Sequence, residues 1–166
     1  MYDPQHMARA IELSQNALTH PGTQPFGAVV VKEGQIVGEG WNHSDARFDP
    51  TSHGEVEAVR DACQRLKTVD LTGCELYTSC EPCALCVAAM HIAGITQLYY
   101  AASLAQSGDA LEGLTNEQRH PIDVDVLRAE CGATVDARRM PAAQKMAPEA
   151  IAVLKAWPNQ RVRSGS

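Results

Sequence analysis

Cys80, Cys83 and Cys86 stand three residues apart, and Pro82 lies among them at the opening of an apolar stretch that runs to Gly94. Proline is favoured at the first position of a helix and glycine just past its end, so this stretch is predicted to be helical. Cys83 and Cys86 then share the first turn at i, i+3 spacing, and their sulfurs converge on one point. The positive end of the helix dipole favours thiolates there. A second helix start lies at Ser52-His53-Gly54-Glu55, where Ser52 is a candidate N-cap and Glu55 its capping-box partner. His53 reaches the two sulfurs if the two helices begin side by side, so the fold must bring distant segments together.

The rest of the chain supplies the elements for such a fold. Asp3 caps a helix opened by Pro4, with Met7, Ala10, Ile11, Leu13, Ala17 and Leu18 on one apolar face, and His20-Pro21-Gly22 breaks it. Phe26–Val31 and Ile36–Asn42 read as strands, and the four-residue turn at 32–35 makes them an antiparallel hairpin. Gly38 and Gly40 either weaken the second strand or admit another backbone close to it. Val56, Val59, Cys63 and Leu66 mark the helix after Ser52. Cys74–Ser79 and Ile95–Ala102 read as strands flanking the cysteine helix, whose Leu85, Val87, Ala88 and Met90 make it apolar nearly all round and hence buried. Helices over Pro121–Cys131 and Pro148–Ala156, with a fifth strand at Ala133–Ala137, complete the pattern. Alternating helices and strands predict an α/β chain, a three-layer αβα sandwich around a mixed five-stranded sheet. We expect one domain over 1–160 and a frayed tail over 161–166.

Fourteen basic against twenty acidic side chains in 166 residues leave a net charge of -6. Such a chain does not attract phosphate backbones through its overall field, so nucleic-acid substrates are disfavoured. No apolar run approaches the ~20 residues of a membrane span. The polar N-terminus lacks the pattern of a signal peptide, which points to the cytoplasm, where thiols stay reduced. Six cysteines in that setting suggest metal or catalysis before disulfides. Cys63, Cys74 and Cys131 read as core thiols, His91 as a buried structural histidine, and His6, His20, His43 and His120 as surface residues.

A site of two thiolates and one imidazole leaves the fourth tetrahedral position of a zinc ion to water, whose pKa the metal brings to roughly 7. Glu55, two residues after His53, is then placed beside that water as proton acceptor and donor. Two other readings share these residues. An iron–sulfur run would need a fourth cysteine three residues on, and none is there. A closed structural zinc site would add Cys80 to His53, Cys83 and Cys86, and would leave Glu55 without a task.

His-x-Glu followed by Pro-Cys-x-x-Cys resembles the signature of the zinc nucleobase and nucleoside deaminases. The segments 25–30, 41–42, 49–55 and 76–83 resemble bacterial guanine deaminases of the cytidine deaminase-like fold. Gly54, where most relatives have Ala, also resembles fungal-type cytosine deaminases. The resemblance implies one zinc per subunit on His53, Cys83 and Cys86, with Glu55 as the proton shuttle. It implies substrate contacts from Asn42, Phe26, the Gly54 N–H and the Ser79 carbonyl. Asp109 or Glu112 would supply the acidic group that holds a purine, and Trp157 an aromatic wall. The implied partners are a small nucleobase or related heterocycle, with guanine foremost, and a second copy of the chain as a homodimer. Cytosine or a nucleoside is the alternative substrate, and tRNA adenosine a further one set against the acidic charge. Phe48 would line the pocket or meet the neighbouring subunit.

Overall fold

A computed structural model describes residues 1–115, 117–119 and 122–161, with side chains described through Pro158. His120, Pro121 and the tail from 162 onward lie outside the described residues. The chain divides into two compact units, Met1–Arg128 and Ala129–Ser166.

The first unit is built on four strands, β1 (Gln24–Lys32), β2 (Gln35–Asn42), β3 (Glu75–Cys80) and β4 (Gln97–Ala102), in the spatial order β2-β1-β3-β4. β1 runs antiparallel to β2 and β3, and β3 runs parallel to β4. The helix between β3 and β4 makes that last pairing possible, because a parallel connection needs a crossover. Its helices are α1 (Pro4–Gln15), α2 (Ser44–Arg47), α3 (Gly54–Leu66), α4 (Ala84–Ala93) and α5 (Leu104–Ala110), and α6 spans Val124–Gly132.

Both faces of the sheet are covered, so the apolar runs of β1 and β3 alternate between two cores. Val29, Val31 and Tyr77 pack against Met7, Ala10 and Leu13 of α1. Ala28, Val30 and Leu76 face Ala58 and Ala62 of α3 and Met90 and Ala93 of α4. Three layers result, as expected. Gly38 and Gly40 serve close approach: an added Cβ would lie 2.4 Å from the Ala58 carbonyl oxygen at Gly38 and 2.5 Å from the Ala58 nitrogen at Gly40. α3 therefore rests its backbone directly on β2.

Several expectations are corrected. The sheet has four strands among the described residues, and the Ala133–Ala137 segment forms a 3₁₀ turn over Val135–Ala137 in the second unit. That short run has no buried face, and a strand needs one side to pack. α1 buries His6, Met7, Ala10 and Leu13, whereas Ile11 lies on the outer side of the helix and is exposed, and Leu18 is exposed because it falls past the helix end at Gln15. His6 stacks edge-on against Tyr77 at 5.3 Å, and His43 is half-buried beside Trp41. α4 is buried only along Cys86, Met90 and Ala93, with Val87, His91 and Ile92 facing outward. Cys131 is exposed. The second unit also contains α7 (Ala147–Arg161), which carries Trp157. No helix of the described residues is long and apolar enough to cross a membrane.

Candidate active site

The two helix starts meet as the cysteine spacing demanded. His53 is the N-cap of α3 and Cys83 the N-cap of α4, both in extended backbone conformation, and Cys86 follows in the first turn of α4. Cys83 Sγ lies 3.6 Å from His53 Nδ1, Cys86 Sγ lies 3.4 Å from the same nitrogen, and the two sulfurs are 3.7 Å apart. A tetrahedral zinc with Zn–S near 2.3 Å and Zn–N near 2.05 Å gives edges of about 3.8 Å between sulfurs and about 3.6 Å between sulfur and nitrogen. The observed triangle matches one face of that tetrahedron. Among the described residues, His53, Cys83 and Cys86 are the group whose ligand atoms converge, all within 4.8 Å of one another. Cys80 is buried and lines the same cavity but is not in that group.

The triangle holds its protons as a coupled set. The Cys83 thiol is pulled down to about 4 by its hydrogen bond with Cys86 and, further, by His53. The Cys86 thiol is pushed up by the same hydrogen bond and by burial. His53 is raised chiefly by its hydrogen bond to Cys83. Both thiols and the imidazole must shed protons to hold a metal, so binding releases them. Both helix N-termini present their positive ends to the thiolates.

Glu55 is turned inward from the first turn of α3 and is 5% exposed. It does not serve as a capping-box carboxylate. Ser52 donates instead to Glu57 Oε1 at 2.9 Å, because α3 starts at Gly54, one residue later than that motif requires. Glu55 Oε2 accepts from Cys86 Sγ at 3.4 Å, and Thr78 Oγ1 donates to Glu55 Oε1 at 3.3 Å. Burial pushes the Glu55 carboxyl up. A carboxyl group tuned upward and fixed beside a metal triangle is suited to take and return protons.

A small cavity of about 60 Å³ opens onto this group. Asn42 and Phe26 line it, from the end of β2 and the start of β1. Asn42 is almost fully buried, and its Oδ1 accepts from the Ser44 N–H at 3.0 Å, which fixes the amide. Gly54 is buried at the helix start between His53 and Glu55, and an added Cβ there would stand 2.4 Å from the Phe26 carbonyl oxygen. Ser79 Oγ accepts from the Gly27 N–H at 3.0 Å and ties β3 to β1. Asp109 and Glu112 are exposed and neither is in the cavity wall, because the α5 turn that carries Asp109 directs it to solvent. Trp157 lies on α7 in the second unit, 58% exposed. Phe48 is 96% exposed and borders an apolar recess with Pro50 and Leu85 beside His53.

Sequence reasoning missed Thr78, Glu81 and Arg119. Thr78 reads as an ordinary strand residue, and only the packing of β3 under α3 reveals its hydroxyl as the support of Glu55. Glu81 lines the cavity, and its carboxylate accepts from the Leu104 N–H at 2.9 Å, joining the end of β3 to α5. Arg119 stands in a stretch without periodicity and gives no local signal.

Comparison with known proteins agrees with this geometry. The family model for the cytidine and deoxycytidylate deaminase zinc-binding region matches residues 1–102. A guanine deaminase of Bacillus subtilis (strain 168) is 34% identical over 92% of each chain. The crystal structure of guanine deaminase from Bacillus subtilis superposes with a TM-score of 0.80 at 33% identity, covering 96% of this chain and 95% of that one. A tRNA-specific adenosine deaminase of Aquifex aeolicus is 42% identical, over 49% of this chain and 54% of its own length. The family motif falls on the helix starts that build the metal triangle, and the chain therefore belongs to the cytidine and deoxycytidylate deaminase zinc-binding family, the zinc-dependent hydrolytic deaminases.

Proposed function

We propose that the chain is a guanine deaminase, which replaces the exocyclic amino group of the free base by oxygen: base plus water gives oxo-base plus ammonia. The observation that carries this reading is the placement of Glu55, buried and hydrogen-bonded at 3.4 Å to a sulfur of the metal triangle. His53, Cys83 and Cys86 would hold one zinc, whose Lewis acidity supplies an activated water nucleophile near neutral pH. Glu55 would take one proton from the attacking water and deliver it to the ring nitrogen next to the carbon under attack, then take the second from the new hydroxyl and pass it to the amine, which leaves as ammonia. The Thr78 hydroxyl holds Glu55 Oε1, and Oε2 stands on the side of the metal triangle beside Cys86.

Asn42 and Phe26 bind the base from the cavity wall. Gly54 offers a backbone N–H and Ser79 a backbone carbonyl at the two ends of the reacting amidine. The match of the guanine deaminase relative over 92% of the chain supports one deaminase domain over 1–160. A neutral free base fits the net charge of -6, which repels phosphate backbones. The outward Val87 and Ile92 of α4 support self-association as a homodimer, since exposed apolar side chains favour burial against a partner. The thiolates of the site need a reducing compartment, which favours the cytoplasm.

The test is ammonia release from guanine, guanosine, cytosine, cytidine and adenine by the zinc-loaded protein, beside Glu55→Gln. Guanine should be turned over fastest, and Glu55→Gln should keep zinc and fold but lose ~10²–10⁴-fold in kcat. Full activity in Glu55→Gln refutes the proton-shuttle role. Turnover of cytosine without guanine moves the substrate to a pyrimidine.

A further inference from the structure

Among the described residues the cavity wall carries one arginine and no lysine, and that arginine is in no ion pair with the wall carboxylates Glu55 and Glu81. Arg119 lines the wall together with Asn42, Phe26, His53, Glu55 and Cys83. Its guanidinium carbon lies 5.2 Å over the centroid of the Phe26 ring, in cation–π geometry. The residue is partly buried, and among the described residues no carboxylate forms an ion pair with it. Arg9, Arg47, Arg60 and Arg65, by contrast, each hold an acidic partner.

A guanidinium offers five N–H donors and no acceptor, and it stays charged at any working pH. Half-buried in the wall and in no ion pair among the described residues, it keeps its donors available to the cavity. Acceptor atoms of a ligand satisfy them. The Phe26 ring holds the planar fork over the cavity, so little side-chain freedom is lost on binding. Glu55 occupies the metal end of the same cavity, which leaves Arg119 to meet a different part of the bound molecule. The carboxylates expected for that task, Asp109 and Glu112, are turned to solvent.

We propose that Arg119 is a specificity-determining residue that selects amino heterocycles presenting an oxo group, or another acceptor-only edge, to its guanidinium. Analogues with an amino group or hydrogen at that position are rejected, because a donor facing a donor repels and hydrogen leaves the fork unpaired. The inference rests on the reading of the chain as a free-base deaminase.

The experiment pairs oxo substrates with their analogues: guanine with 2-aminopurine and 2,6-diaminopurine, and cytosine with 4-aminopyrimidine. Zinc-loaded wild type, Arg119→Gln and Arg119→Lys are compared, with zinc content and circular dichroism as controls for folding. Arg119→Gln should lose about 10- to 100-fold in kcat/KM on the oxo member, carried by KM, as expected for one charge-assisted hydrogen bond. It should leave the analogues nearly unchanged, so the selectivity ratio collapses. Arg119→Lys should recover part of the ratio, since it keeps the charge but not the fork. A purely structural arginine would instead lower kcat or zinc content on every substrate alike, and that result overturns the proposal.

Calorimetric binding of xanthine, which needs no turnover, separates the two readings. A wild type that deaminates no free base yet binds xanthine through Arg119 overturns the function and keeps the assignment. Turnover of guanine with an unchanged ratio in Arg119→Gln does the reverse. Neither turnover nor Arg119-dependent binding overturns both.

Discussion

Gly40→Ala tests whether the seat of α3 on β2 sets the geometry of the site. An added Cβ at Gly40 would stand 2.5 Å from the Ala58 nitrogen, 2.6 Å from Glu57 Cβ and 2.7 Å from the Gly54 carbonyl oxygen, all in the first turns of α3. Ordinary contact begins near 3.4 Å, so the helix start must retreat by about 0.7–0.9 Å. Two of the three atoms are backbone, so no rotamer change relieves the clash. Overpacking of this kind costs about 1–3 kcal/mol. Alanine recovers roughly 0.5–1 kcal/mol in a strand interior. The net loss should be about 1 kcal/mol, which for a chain of this size lowers Tm by about 2–4 °C.

The retreating turn carries His53 and Glu55, whereas Cys83 and Cys86 ride on α4. Displacements near 1 Å can cost ~10²-fold in rate, so kcat/KM should fall by about that factor and zinc affinity should weaken. Gly108→Ala is the control, because nothing lies within 4 Å of its added Cβ and its backbone is helical. It should be neutral or stabilising by up to ~1 kcal/mol. The assays are thermal unfolding, zinc titration against a chromogenic chelator, and ammonia release. Gly40→Ala matching Gly108→Ala in all three would falsify the argument that this contact sets the site.

Cys80→Ser should keep one zinc per chain by elemental analysis, while His53→Ala and Cys83→Ala should lose it. Loss in Cys80→Ser would return the site to the closed structural reading. Thr78→Val strips a hydroxyl that donates to Glu55 at 3.3 Å and to the Cys80 carbonyl at 3.1 Å. It should retain zinc and lower kcat by about tenfold, with stability down by ~1–3 kcal/mol for the acceptors left unpaired. An unchanged kcat shows that Thr78 does not position Glu55. The Arg9 guanidinium holds the Glu39 carboxyl below its usual 4.5 through their hydrogen bond. A depressed folded-state pKa gives stability that is fully present above 4.5 and lost as pH falls through the lower, folded value. Glu39→Gln should therefore be less stable than wild type at pH 7, and urea midpoints should converge as the pH falls below 4.5. A gap that persists in strong acid excludes this ion pair as the cause.

The metal triangle was legible in the sequence because its constraints are local. Pro82 and the spacing of Cys83 and Cys86 define a helix start, and His53 and Glu55 define another with the complementary donors. The four strands of the sheet and the hairpin were legible for the same reason, since apolar runs and turn residues act over a few positions. The false fifth strand shows the limit of that logic: Ala133–Ala137 has an acceptable local pattern but no neighbour to pair with.

Tertiary structure alone decided which way ambiguous residues face. Glu55 satisfies a capping-box pattern in sequence, yet it turns inward because α3 starts one residue later and Ser52 engages Glu57. Gly40 reads equally as a weak strand residue or a seat for a helix, and only the approach of α3 selects the second. Thr78 becomes the support of Glu55 through packing between two distant elements. Arg119 enters the cavity from a stretch with no periodicity, where Asp109 and Glu112 do not. Local sequence determines which backbone a segment prefers. The direction of a polar side chain depends on which distant groups compete for its hydrogen bonds, and those groups meet only in the folded chain.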